Sequence, residues 1–264
     1  MKTFLDQKDL NISKEFETRG YIIRDIEDKT SINKIQSFFT NEIKKNLRIK
    51  KKISNLSLLN NIHKFIKRKD LNEFRLKIMN SMKNNKEFRK LYYLTSKYYL
   101  ETLIGNELAM QQRVNLSIQM PKDISSLLPV HSDVWAGDSP FEIVVWLPLV
   151  DCYKTKTMYI LPPKKNKKIN LNELNSSKNI FDKIKKDFVW PKVKFGQVLI
   201  FNQMLAHGNV VNLEKETRWS MNCRFKSIFT PYGDKKIGEF FEPITLRKAS
   251  ELGMKYKYSY NKKV

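Results

Sequence analysis

The sequence predicts a mainly β core flanked by N-terminal α-helices, and three patterns carry that prediction. Apolar and polar residues alternate from Gln112 to Met120, the chain is almost continuously apolar from Phe141 to Leu149, and alternation returns from Arg218 to Phe225. A period of two places successive side chains on opposite faces of a strand, and an unbroken apolar run of that length suits a strand covered on both faces. Before residue 107 the apolar period is 3.6 instead, the mark of helices with one buried stripe.

Taken in order, Tyr21 to Ile26 follows Gly20 and reads as a first strand. Asp28 to Ser31 supply N-cap candidates for a helix whose Ile32, Ile35, Phe39, Ile43 and Leu47 recur at helical spacing. Arg48 to Lys52 is a charge run, read as a solvated loop. Phe74, Ile78 and Met82 mark one face of the next helix. Phe88, Leu91, Tyr92, Tyr98, Tyr99 and Leu103 read as one further helix closed by Gly105, its aromatic stripe packed on a sheet. In the strand from Gln112 to Met120, Val114, Leu116 and Ile118 share one face. Asn115, Ser117 and Gln119 share the other, which in a barrel looks into the cavity and makes them candidate ligand contacts.

Pro140 and Pro148 bound the central strand, and Met158 to Leu161 is a short one. Lys164 to Lys194 is a basic insertion with an amphipathic turn around Ile180 to Ile184, long enough to serve as a lid. Its Lys164, Lys165, Lys167 and Lys168 read as solvated rather than phosphate-binding. Gly196 opens a strand expected to deliver His207. Thr230 to Val264 is polar with scattered aromatics and receives no catalytic role. The whole is expected to form one domain: a helix-rich part over 1–107, a core over 108–230 and an extension over 231–264.

With 264 residues and 41% hydrophobic content, the chain can bury a substantial core. Its formal charge of +23 invites an anionic partner, but the lysines are spread widely and no basic motif is interleaved with aromatics. The charge is therefore read as background, and a nucleic-acid partner is not expected. Two cysteines, Cys152 and Cys223, are too few for a disulfide framework and read as small core residues. The N-terminus lacks an apolar leader and no segment has membrane-span length, so a cytoplasmic protein without a membrane partner is expected.

The candidate chemistry centres on His131-Ser132-Asp133, where extended backbone would present an imidazole and a carboxylate on one side. Of the other two histidines, His63 lies among lysines that oppose a cation, whereas His207 directly follows an apolar run. Two histidines and one carboxylate leave open positions on an iron, the facial triad of non-heme Fe(II) oxygenases. Eleven residues past His207, Arg218 offers a bidentate partner for a distal carboxylate. Arg224 shares its parity, so a second inward arginine would need an anion, either a protein carboxylate or an acidic substrate group.

In this order and spacing, His131-x-Asp133, His207 and Arg218 resemble the phytanoyl-CoA hydroxylase branch of the Fe(II)/2-oxoglutarate dioxygenases. The resemblance runs through Phe141 to Asp151, Met158 to Pro162 and Phe195 to Phe201, and covers about residues 108 to 230. More narrowly, the segments around His131 and His207 are similar to oxygenases of bacterial surface-carbohydrate gene clusters. Pro162-Pro163 departs from the family, which often continues Pro-Gly-Ser-His there. The resemblance implies a double-stranded β-helix (jelly-roll, cupin-like) core, Fe(II) held by His131, Asp133 and His207, and 2-oxoglutarate as co-substrate held by Arg218. It further implies dioxygen as oxidant and a small-molecule substrate, a sugar or an anionic sugar-nucleotide. Gln119, Trp135, Asn202 and Arg224 are candidate substrate contacts. Because the triad keeps Asp133, it points to hydroxylation rather than halogenation. A cupin-like metal protein without oxygenase chemistry, and a basic nucleic-acid-binding protein, are the competing readings.

Overall fold

A computed structural model describes residues 3–167, 169 and 177–257. Its strands are β1 (Tyr21–Asp25), β2 (Leu108–Gln111), β3 (Asn115–Gln119), β4 (Ile143–Pro148), β5 (Tyr159–Ile160), β6 (Gln197–Asn202), β7 (His207–Gly208), β8 (Arg218–Ser227) and β9 (Phe241–Pro243). Seven form one antiparallel sheet in the order β1-β6-β4-β8-β2-β9, with β3 also on β8. The remaining two, β5 and β7, make a small antiparallel pair. The helices are α1 (Gln7–Arg19), α2 (Lys29–Asn46), α3 (Asn55–Asn60), α4 (Leu71–Asn84), α5 (Phe88–Leu94), α6 (Lys97–Ile104), α7 (Pro163–Asn166), α8 (Ser177–Ile184) and α9 (Lys248–Lys255). An antiparallel sheet with flanking helices of this kind is jelly-roll-like. Among the described residues no helix is long and apolar enough to cross a membrane.

Alternation along β8 sorts its residues between two environments. Trp219, Met221, Cys223 and Phe225 are at most 1% exposed and face the helices. Phe39 of α2 and Phe74 of α4 meet the Trp219 ring edge-on, and its indole N–H donates to the Leu59 carbonyl at 3.0 Å. Tyr92 stacks on Phe225 and donates its hydroxyl to the Val145 carbonyl at 2.8 Å. A buried tyrosine requires such an acceptor. These contacts join the helices and the sheet in one apolar core. The other face of β8 carries Arg218, Ser220, Asn222 and Arg224 and lines a cavity.

The elements expected at β1, α2, α4, β4, β5 and β8 are present within a few residues. Asp28 caps α2, its carboxylate accepting from the Ser31 N–H at 2.9 Å. Elsewhere the chain departs from expectation. The single helix after Phe88 is two, α5 and α6. The Thr95 hydroxyl donates to the Tyr92 carbonyl at 2.6 Å, a side-chain bond that competes with helical hydrogen bonding. The strand expected from Gln112 starts only at Asn115; β2 and β3 are successive segments along the same edge of β8, separated by 112–114. The C-terminal extension contributes β9, whose register pairs Met110 with Glu242.

The basic insertion is not simply a loop. Beyond α7 and α8 it returns through bridges of Val189 to Ile160 and of Val193 to Cys152. Phe181, Phe188 and Trp190 gather around the Tyr159 ring at 4.3–5.3 Å, which anchors the segment. Lys165 pairs with Asp187 at 2.8 Å; Lys168 and 170–176 lie outside the described residues, as does 258–264. Cys152 and Cys223 are buried free thiols, both pushed up to about 12 by burial, consistent with a packing role.

Candidate metal centre

His131 and Asp133 do not lie in a regular strand, contrary to expectation. His131 forms an isolated bridge with His207, its N–H donating to the His207 carbonyl at 3.0 Å and its carbonyl accepting the His207 N–H at 2.8 Å. Ser132 stays extended (φ −124°, ψ 136°) before a 3₁₀ turn over Asp133–Ala136. That extension places side chains 131 and 133 on one side and turns Ser132 away, where its hydroxyl donates to the Gln203 carbonyl at 3.0 Å. His207 is likewise not on the strand that starts after Gly196. That strand, β6, ends at Asn202, whose carbonyl accepts the Leu205 N–H at 3.1 Å in a turn, and β7 carries the histidine.

Partners across an antiparallel bridge share a face. The two imidazoles therefore lie side by side, ring centres 4.2 Å apart. One ligand atom from each of His131, Asp133 and His207 lies within 4.8 Å of the other two. Each ring is already oriented, with Nδ1 of His131 2.8 Å from the Pro129 carbonyl and Nδ1 of His207 2.8 Å from the Leu205 carbonyl. A carbonyl only accepts, so each Nδ1 carries the proton and each Nε2 keeps its lone pair for a ligand. Such backbone anchoring of the distal nitrogen is the usual support of a metal-binding imidazole.

Charge states agree with that orientation. Burial, then the neighbouring His131, pushes His207 down to about 4, so its imidazole is neutral. Burial opposes ionisation of Asp133, but the charge and hydrogen bond of Arg224 hold its carboxyl below the usual range. Neutral imidazoles and an ionised carboxylate are the donor set that a divalent cation requires.

The cavity beside these ligands has a volume of about 350 Å³. Asn115, Ser117, Ser220 and Asn222 give it a wall of neutral polar groups, and Val144, Trp146, Met158 and Phe201 an apolar one. Arg218 lies in the lining yet is only 4% exposed. Its Nη2 donates to the Ser117 hydroxyl at 2.9 Å, and its Nε is buried with no hydrogen-bond partner among the described residues. Burial pushes this guanidinium down to about 10. Arg224 also lines the cavity, but it pairs with Asp133 at 2.9 Å and Asp138 at 3.4 Å. The anion it needs is thus supplied by the protein.

Three expected substrate contacts lie off the lining. Gln119 shares a face with its register partner Arg218 but is fully buried, its amide donating to the Val210 carbonyl at 2.7 Å. Trp135 packs into the cluster around Val130 and Tyr159. Asn202 turns its side-chain Oδ1 to accept the Met204 N–H at 2.9 Å. His63 contacts the Thr217 hydroxyl at 2.9 Å and stays outside the ligand group. Conversely, Asp138 and Gln203, both bound to Arg224, had no sequence signal beyond lying within five residues of Asp133 and His207.

No protein-family description matches the chain. No curated protein matches it in sequence either. Among solved structures, the non-heme monooxygenase ThoJ in its nickel complex aligns over 90% of this chain and 85% of its own, with a TM-score of 0.53 at 14% identity. EctD from S. alaskensis with 2-oxoglutarate and 5-hydroxyectoine aligns over 88% and 80%, with a TM-score of 0.56 at 13% identity. HygX from Streptomyces hygroscopicus with nickel and 2-oxoglutarate aligns over 88% and 90%, with a TM-score of 0.52 at 11% identity. The likeness is one of architecture: this chain shares the fold of those three proteins.

Proposed function

We propose that the chain is an Fe(II)/2-oxoglutarate-dependent oxygenase that oxidises a small molecule, with His131, Asp133 and His207 as iron ligands and Arg218 as the anchor of the keto acid. One observation carries the reading. The three ligand atoms converge within 4.8 Å at a cavity that also holds a buried guanidinium without a carboxylate partner among the described residues. A cation site and an unmatched cationic side chain in one cavity suit a ligand that chelates at one end and is anionic at the other. When bound, iron and keto acid supply the oxidation: dioxygen is consumed, 2-oxoglutarate leaves as succinate and carbon dioxide, and one oxygen atom goes to a substrate C–H bond.

The protein's own part is positional. His131 and His207 hold their Nε2 lone pairs forward through the carbonyls of Pro129 and Leu205. Ser117 orients Arg218, which is only 4% exposed. Asp133 keeps a carboxylate in the third ligand position, which favours hydroxylation over halogenation. The resemblance to the phytanoyl-CoA hydroxylase branch implies a double-stranded β-helix, and the narrower likeness to oxygenases of bacterial surface-carbohydrate gene clusters supports a finer reading: a sugar or sugar-nucleotide substrate in surface-polysaccharide synthesis. The hydroxyl and amide wall of Ser220, Asn222 and Asn115 suits a hydroxylated substrate.

The test is anaerobic loading with Fe(II) and 2-oxoglutarate followed by exposure to air, with succinate as the readout. The wild type is expected to bind one iron and form succinate slowly even without its substrate, and His207→Ala to do neither. An iron-loaded wild type that forms no succinate, with or without candidate sugars, would refute the proposal.

A further inference from the structure

Arg224 grips a candidate metal ligand. Its Nη2 lies 2.9 Å from Oδ1 of Asp133 and its Nε 3.3 Å from Oδ2. A side-on hold through two nitrogens fixes both the place and the rotation of a carboxylate. Oδ1 is also the oxygen 3.6 Å from Nε2 of His131. Oδ1 therefore meets both His131 and the guanidinium, while Oδ2 is held on the side of the guanidinium's Nε.

Arg224 is held in turn. Asp138 meets its Nη2 at 3.4 Å, and the Gln203 side-chain carbonyl accepts from its Nε at 3.1 Å. Lys235 donates to Asp138 at 2.7 Å, so two carboxylates and two cations cancel without a ligand's charge. Gln203 is itself fixed: its amide donates to the Ser139 carbonyl at 2.7 Å and to Glu142 at 3.0 Å, and its backbone carbonyl accepts the Asp133 N–H at 3.2 Å. The Phe240 ring lies 5.8 Å from the guanidinium carbon.

We propose that Arg224 is a positioning residue that restricts Asp133 to metal ligation through Oδ1 alone, with Asp138 and Gln203 keeping the guanidinium in place. The inference rests on the reading above, in which a chelating keto acid needs two positions on the metal and dioxygen a third. A carboxylate free to turn can take a second position and leave too few. Arg224 thereby protects the open face of the site without touching the metal.

Cobalt(II) titration of the purified protein, followed by 2-oxoglutarate, tests this without turnover. Arg224→Met is expected to bind cobalt at least as tightly as wild type, with an altered visible ligand-field spectrum, and to bind 2-oxoglutarate about tenfold or more weakly once metal-loaded. Asp138→Asn, which loosens Arg224 while leaving it present, shifts both readouts in the same direction by less and serves if Arg224→Met does not fold. A spectrum and 2-oxoglutarate affinity equal to wild type in both variants overturn the proposal. So does loss of cobalt binding in a variant with wild-type circular dichroism, since Arg224 would then be needed to hold the metal at all. A wild type that binds neither cobalt nor 2-oxoglutarate instead refutes the functional reading itself.

Discussion

Two arginines on the same face of β8 sit six residues apart and face opposite electrostatic situations. Arg224 has two carboxylates, and its guanidinium stays charged although burial opposes it. Arg218 has a serine hydroxyl and an unpartnered Nε, and burial pushes it down to about 10. The same residue type at the same parity is thus tied into the scaffold in one case and, among the described residues, left without a carboxylate in the other. The counter-ion separates them: Arg224 has two carboxylates and Arg218 none among the described residues.

The contrast can be broken at either end. Asp133→Ala, the largest expected effect, removes a metal ligand and frees Arg224 at once; iron retention and succinate formation are expected to vanish in equilibrium dialysis and turnover assays. Arg218→Met is expected to weaken 2-oxoglutarate about a hundredfold by calorimetry, because a charge-assisted pair is worth up to about 3 kcal/mol. If that affinity did not change, the assignment of Arg218 would be wrong. Stability sharpens the difference further. Without ligands, Arg218→Met removes an uncompensated buried charge and should leave the urea midpoint unchanged or higher. Arg224→Met strands Asp133 and is expected to cost about 3 kcal/mol. Equal destabilisation by both would erase the distinction.

Lys226 gives the smallest effect and a pH signature. It lies on the same face of β8, fully buried, donating to the Pro231 carbonyl at 2.7 Å over the Tyr232 ring. Burial lowers it from 10.5 to about 8. Between those values the unfolded chain holds a proton that the folded one has released, so wild-type stability rises with pH across this window. Denaturation midpoints of wild type and Lys226→Met should therefore shift in favour of wild type from pH 8 to 10.5, and a constant gap would contradict the account.

Much of this was legible because period-two alternation is a strong local signal. The parity of Arg218, Ser220, Asn222 and Arg224 followed from it, and the structure puts the alternate residues Trp219, Met221, Cys223 and Phe225 in the core. Short elements were not legible: β2 and β9 span four and three residues, too few for a period to show. The break between α5 and α6 was hidden because the apolar stripe continues across it while two hydroxyls interrupt the backbone pattern. The partners of Arg224 were hidden for another reason. That the arginine required an anion was readable from β8 alone, but Asp138 and Gln203 reach it only through the fold, and Lys235 and Phe240 come from a segment with no expected role.

The mutual hydrogen bonds of His131 and His207 make the two metal-binding rings a single rung of a ladder. Their separation is set by the paired hydrogen bonds of that bridge, so little rearrangement of the two histidines should accompany capture of an ion. The same arrangement makes the centre a gauge of alignment: sliding one segment past the other by a single residue would send one imidazole to the opposite side and dismantle the centre without breaking a covalent bond.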